Sequence, residues 1–165
     1  MGSATAVDFN QSTGNLRYDD GEGNTLPYRL FLPEGYDPNG RYPLIIFFHG
    51  AGERGRDNRL QASGGGHMEF LYRATQGRTF DGHYQALLLA PQCPTSDQWV
   101  NWPWANGSYT QAEEPPESQS MHSALAILDQ VIASYPVETD QIYVTGLSMG
   151  GFATWDALRR RPELF

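Results

Sequence analysis

Ser148 is placed by its neighbours to act as a nucleophile. It lies in Gly146-Leu147-Ser148-Met149-Gly150, a G-x-S-x-G pattern set between the strand-like run Gln141-Ile142-Tyr143-Val144-Thr145 and a helix-like one. A serine that attacks a carbonyl must stand exposed on a sharp strand-to-helix turn, and the strained backbone of such a turn requires small neighbours. Gly146, Gly150 and Gly151 are expected to supply them. The helix beginning beyond Ser148 would direct unpaired N–H groups toward the point where a tetrahedral intermediate gathers negative charge.

A second segment fits the same chemistry. Tyr42-Pro43-Leu44-Ile45-Ile46-Phe47-Phe48 is a continuous apolar run of strand length, which is how a parallel strand covered on both faces reads. It ends in His49-Gly50-Ala51-Gly52. In esterases an HG-rich loop after such a strand contributes an oxyanion N–H, because glycines let the backbone approach the substrate.

Three segments taken together resemble a known group. His49-Gly50-Ala51-Gly52-Glu53-Arg54-Gly55, then Ala90-Pro91-Gln92-Cys93-Pro94, then Val144 through Asp156 are similar to the predicted-peptidase and esterase group of the α/β-hydrolase superfamily. Its relatives are polyhydroxybutyrate-depolymerase-like and feruloyl-type carboxylesterases. The resemblance runs from about Leu26 onward, with the segments in the expected order. It implies ester hydrolysis through an acyl-enzyme on Ser148, with the oxyanion held by the N–H of Met149 and one from Ala51 or a glycine beside it. It implies no cofactor. Whether the substrate is a small carboxylic ester, a feruloyl or acetyl ester on polysaccharide, or a peptide stays open.

One departure from the family pattern bears on mechanism. Triads of this superfamily run Ser, then Asp or Glu, then His. No histidine follows Ser148, and the acidic residues after it are Asp156 and Glu163, both in the helical run and expected to face solvent. Residues 1–165 therefore read as a single α/β-hydrolase domain, its N-terminal portion, with the acid and the general base expected from a complementary chain or a swapped dimer. The competing reading is a fragment that is inactive until complemented. Of the upstream histidines, His49 is expected to fix the oxyanion loop by hydrogen bonds, and His67, His83 and His122 to be ordinary surface or partly buried residues.

Gly50-Ala51-Gly52-Glu53-Arg54-Gly55 also matches the dinucleotide pattern G-x-G-x-x-G, with Glu69 in the range where a ribose ligand would stand. Its context argues against that role. No helix pattern follows the third glycine, and Glu69 falls in a helical run instead of ending a second strand.

The elements that must position these residues follow from periodicity. Leu16-Arg17-Tyr18 and Leu26 through Leu32 read as an antiparallel hairpin at a sheet edge, and Pro33 through Arg41 as loop. A short helix is expected around Met68 to Ala74 and a buried strand over Tyr84 to Ala90. Met121, Ala124, Leu125, Leu128, Val131, Ile132 and Tyr135 share one helical face. Alternation of this kind predicts a mostly parallel sheet with helices on both faces. In the long loop from Pro91 to Pro116, Trp99, Trp102 and Trp104 cluster at a strand's carboxyl end. They form either an aromatic substrate wall, Trp102 and Trp104 above all, or anchors that hold the loop to the core.

Composition bounds the rest. With 39% hydrophobic residues, 13% aromatic residues and a formal charge of −8, the chain reads as globular and disfavours nucleic acid or an anionic membrane surface as partner. All 11 basic residues are arginine, for which there is no physical account. Cys93 is the single cysteine and reads as a packed residue, and neither a metal-ligand cluster nor a membrane span is apparent. The chain is expected to be soluble and its compartment stays open, secretion or export to the periplasm with a signal removed being one reading; no signal peptide is visible.

Overall fold

A computed structural model describes residues 12–63, 66–76, 85–102 and 114–165. Strands β1 (Leu16–Asp19), β2 (Thr25–Phe31), β3 (Tyr42–Phe48), β4 (Leu87–Pro91) and β5 (Val137–Gly146) form one sheet in the order β1-β2-β4-β3-β5. The hairpin β1–β2 and the β2–β4 pair are antiparallel, whereas β4–β3 and β3–β5 are parallel. Helices α1 (Leu60–Ser63), α2 (Gly66–Thr75), α3 (Gln119–Ser134) and α4 (Met149–Arg160) flank it.

Strand alternation sorts the core into two layers. Leu44, Ile46 and Phe48 of β3 and Leu87 and Leu89 of β4 pack with Met121, Ala124, Leu128, Met149, Ala153 and Ala157 of α3 and α4. Phe47 of β3 and Leu88 and Ala90 of β4 face the other way, onto Ala62, Met68 and Tyr72 of α1 and α2. Because both faces are covered, β3 and β4 can be apolar at every position. Their residues are nearly all buried, each large side chain contributing about 1.5–3 kcal/mol relative to exposure.

The connections define where a ligand can bind. Strand β3 leads through α1 and α2 to its neighbour β4, and β4 returns through α3 on the opposite face to β5, on the far side of β3. The chain thus leaves the carboxyl ends of adjacent β3 and β5 toward opposite faces. Such a switch point opens the crevice in which open α/β sheets hold ligands. The loop after β3 and the turn after β5 meet there.

Several boundaries differ from expectation. Strand β4 starts at Leu87, with Tyr84 outside the described residues, and β5 begins at Val137 instead of Gln141. Glu138, Asp140 and Gln141 give β5 a polar opening that masks it in the sequence. The four-residue helix α1 was not anticipated, being too short to show a period. Helix α4 ends at Arg160, so Glu163 lies beyond it and not in the helical run. Asp156 does not face solvent: it is 5% exposed, with its carboxylate bound to Arg159 and Arg160 at 2.9 and 2.7 Å.

Candidate active site

Among the described residues two serines open helices, and the contrast between them isolates Ser148. Ser118 precedes α3 with extended backbone, φ −77° and ψ 155°, and its Oγ accepts from the Met121 amide at 3.0 Å. That is ordinary N-capping. Ser148 precedes α4 with φ 54° and ψ −116°, and its side chain caps nothing. A non-glycine residue in this conformation stores on the order of 1–3 kcal/mol, which the surroundings must supply. The hydroxyl is left on the surface, Ser148 being exposed.

The surroundings that hold the bend are close-packed backbone. Leu147 N–H donates to Phe48 O at 3.1 Å, and Gly150 N–H donates to Leu147 O at 2.8 Å. A Cβ on Gly150 would lie 1.9 Å from Phe48 O, and one on Gly146 would lie 2.1 Å from Gly150 O. Both positions exclude every other residue. Gly151 does not belong with them: a Cβ there would meet only Gly146 O, at 3.9 Å, an ordinary contact. The expectation that all three glycines make room is thus corrected to two.

The loop after β3 lies against this bend. A Cβ on Gly50 would stand 3.4 Å from Leu147 O and 3.6 Å from Ser148 Cβ. Ala51 begins a 3-10 turn, Ala51–Glu53, directly after Gly50, and Met149 is the first residue of α4. Among the described residues neither the Ser148 nor the Met149 amide has a backbone acceptor, whereas Leu147 N–H is taken by β3 and those of Gly150, Gly151 and Phe152 are used within the turn.

His49 holds the base of that loop, as the sequence led us to expect. It is buried; its Nδ1 donates to Gly50 O at 2.6 Å and its Nε2 accepts from the Cys93 amide at 2.9 Å. These partners allow one neutral tautomer, and burial pushes its pKa down to about 4. His67 is exposed on α2, and His122 is exposed on α3 beside Glu117. His83 lies outside the described residues. Among the described residues no histidine is hydrogen-bonded to Ser148 and no cluster of three His, Cys, Asp or Glu could hold a metal. Cys93 is fully buried, and desolvation pushes its thiol up to about 12, in keeping with a packed residue.

Of the tryptophans, Trp99 anchors the loop. It is fully buried, donates from Nε1 to His49 O at 3.1 Å, and packs edge-on to Phe48 and His49. Trp102 is partly buried at the margin of the same core, and Trp104 lies outside the described residues. A hollow of about 390 Å³ that the sequence did not suggest opens beside the end of β5, lined by Phe47, His67, Phe70, Leu71, Thr145 and Gly146. Its residues come from three elements, so no local pattern marks it.

Residues 23–165 match the Esterase family, whose description reads Putative esterase. The chain belongs to the Esterase family. Among solved structures, a thermostable esterase is 32% identical, with a TM-score of 0.74 over 95% of this chain and 40% of that one. The feruloyl esterase module from Clostridium thermocellum is 16% identical, with a TM-score of 0.61 over 98% and 53% of the two chains, a likeness of fold. A probable chloroplastic glutamyl endopeptidase of Oryza sativa subsp. japonica is 28% identical over 152 residues, 91% of this chain and 15% of that protein. The architecture is that of the α/β-hydrolase esterases. The chain spans well under two thirds of the length of each of these relatives.

Proposed function

We propose that this Esterase-family chain carries the nucleophile and oxyanion hole of a serine carboxylesterase. The observation that carries the reading is the φ 54°, ψ −116° conformation of Ser148, a surface hydroxyl held in strain that performs no capping. Strain of this kind persists only where the surroundings impose it, and here two glycines pressed against Phe48 O and Gly150 O do so.

The reaction is two-step acyl transfer. Ser148 Oγ attacks the ester carbonyl and its proton passes to an imidazole. The carbonyl oxygen becomes an oxyanion held by the amides of Met149 and Ala51. Collapse expels the alcohol, which takes the proton, and leaves the acyl group on Ser148; water then releases the acid by the same steps. The imidazole and its carboxylate come from polypeptide outside residues 1–165. Support for this comes from β5, which stands at the sheet edge with Tyr143 53% exposed on it and Phe152 and Trp155 42% and 76% exposed on the helix α4 that follows it. A long edge strand beside exposed aromatic side chains calls for a covering partner. A 165-residue polypeptide that is monomeric at high concentration and binds no hydrophobic dye would remove this support.

The test is hydrolysis of p-nitrophenyl acetate by the native protein and by Ser148→Ala. A drop of about 10⁴-fold or more in kcat is expected, and undiminished turnover would refute the assignment. We assign Trp102 a contact with the substrate's acyl or alcohol group on the strength of its place in the segment that follows the carboxyl end of β4. Trp102→Ala should raise KM for aryl esters more than for alkyl esters, whereas equal KM values would leave it an anchor. A peptide substrate is the second reading, favoured by the likeness to the endopeptidase. Cleavage of a glutamyl peptide in preference to the ester would decide for it.

A further inference from the structure

Gln92 is the middle residue of the Ala90-Pro91-Gln92-Cys93-Pro94 segment, and the chemistry above gives it no part. It follows the last residue of β4, is 0% exposed, and its side-chain amide is bound on both sides. Oε1 accepts from the Asn58 amide at 2.7 Å, while Nε2 donates to Glu53 O at 3.1 Å and to Asp57 Oδ1 at 2.8 Å. The partners fix the orientation of the amide, because reversing it would set an N–H against an N–H and an oxygen against two oxygens.

The backbone of the next residue continues the pattern. Cys93 N–H donates to His49 Nε2, and Cys93 O accepts from Gly55 N–H at 2.9 Å. The segment 49–58 is therefore tied to Gln92-Cys93 at 49, 53, 55, 57 and 58, with Ala51 between the first two ties. A second layer locks the far end. Asn58, itself at φ 53°, donates from Nδ2 to Leu16 O and Tyr28 O, and its carbonyl accepts from Arg29 Nε at 2.9 Å. Gly55 fits the same arrangement: a Cβ there would stand 3.0 Å from Gln92 Nε2. The third glycine of the G-x-G-x-x-G run thus makes room for Gln92.

We propose that Gln92 is a positioning residue for the oxyanion hole, its buried side-chain amide holding the loop 50–58 so that the Ala51 N–H faces the carbonyl carried by Ser148. The proposal rests on the serine-esterase reading for its catalytic consequence, although the holding of the loop does not. Gly50 and Gly52 give this rim no side chain of their own, so its geometry depends on hydrogen bonds made to it, that from Arg54 Nε to Ala51 O at 3.1 Å as well as those from Gln92-Cys93. Donors of an oxyanion hole act only when aimed in advance. Loss of the ties therefore lowers turnover more than substrate affinity.

The test compares wild type with Gln92→Leu, which removes all three bonds, and Gln92→Glu, which keeps the acceptor but sets a carboxylate against Glu53 O and Asp57 Oδ1. Two readouts are taken on the native protein: amide hydrogen exchange by residue, and kcat and KM for p-nitrophenyl acetate. We expect exchange over 50–58 to quicken about tenfold or more in both variants while β3 and β5 keep wild-type protection. We expect kcat to fall roughly ten- to a hundredfold with KM within about twofold. Wild-type exchange over 50–58, acceleration spread equally over β3 and β5, or a KM effect with kcat intact would overturn the proposal. Should Gln92→Leu fail to fold, Gln92→Glu is judged by the same criteria. Should the wild type hydrolyse no ester, the serine-esterase reading is what falls, and the exchange pattern alone decides whether Gln92 holds the loop.

Discussion

At the scale of single residues, steric exclusion at two glycines is what turns a serine into an exposed, uncapping hydroxyl. Gly150→Ala would force a methyl to within 1.9 Å of Phe48 O, between two backbones that have no room to yield. We expect it to destabilise the chain by on the order of 3 kcal/mol or more. Gly151→Ala, one position on, meets only a contact at 3.9 Å and should be neutral or stabilising by up to about 1 kcal/mol, since alanine suits a helix better. Urea denaturation of the two variants checks the pair, and equal effects would contradict the account. His49 gives a prediction in pH. Burial lowers its pKa from 6.5 to about 4, so between those values the unfolded chain binds a proton that the folded chain does not. Stability is therefore full above pH 6.5 and drains as pH falls through about 4, by roughly 3 kcal/mol from this residue. The slope of melting temperature against pH in that window should be shallower in His49→Gln than in wild type.

At the scale of elements, α4 is held by more than its apolar face. Asp156, expected on the solvent side, instead binds Arg159 and Arg160 from a nearly buried position, and Arg160 reaches on to Pro115 O at 3.0 Å. Arg159 and Arg160 stand three and four positions after Asp156, the spacing that brings side chains together on a helix. The sequence did not show that Asp156 would be covered, because the arginines that bind it are themselves held by the 114–117 segment, distant in sequence. With both carboxylate oxygens engaged by arginines, Asp156 is unavailable to orient a histidine. Asp156→Ala should cost about 1–3 kcal/mol, less than for a fully buried pair because Arg159 is 34% and Arg160 17% exposed. Its effect on esterase turnover should be no larger than its effect on stability, read by thermal denaturation beside kcat. A loss of turnover of the order expected for Ser148→Ala would instead make Asp156 the acid.

At the scale of the whole molecule, legibility follows the range of the interactions. The elbow, the HG loop and the apolar strand before it are local patterns of a few residues, and each appears where the sequence places it. Strand β5 was only half visible because its first residues are polar, and α1 not at all. The tie from Gln92 to residues 53, 57 and 58 joins segments more than thirty positions apart, and no spacing rule reports such a contact. What the sheet order adds is convergence: β3 and β5 are neighbours, so the glycine-rich loop and the serine bend share one crevice.

The measurement that bears most directly on this account is fluorophosphonate labelling of the native protein followed by peptide mapping, because such reagents react with activated serines. The account predicts one adduct, on Ser148, absent in Ser148→Ala and slowed in Gln92→Leu. An adduct on another serine, or ester hydrolysis that persists in the native protein with Ser148 unlabelled, would contradict it.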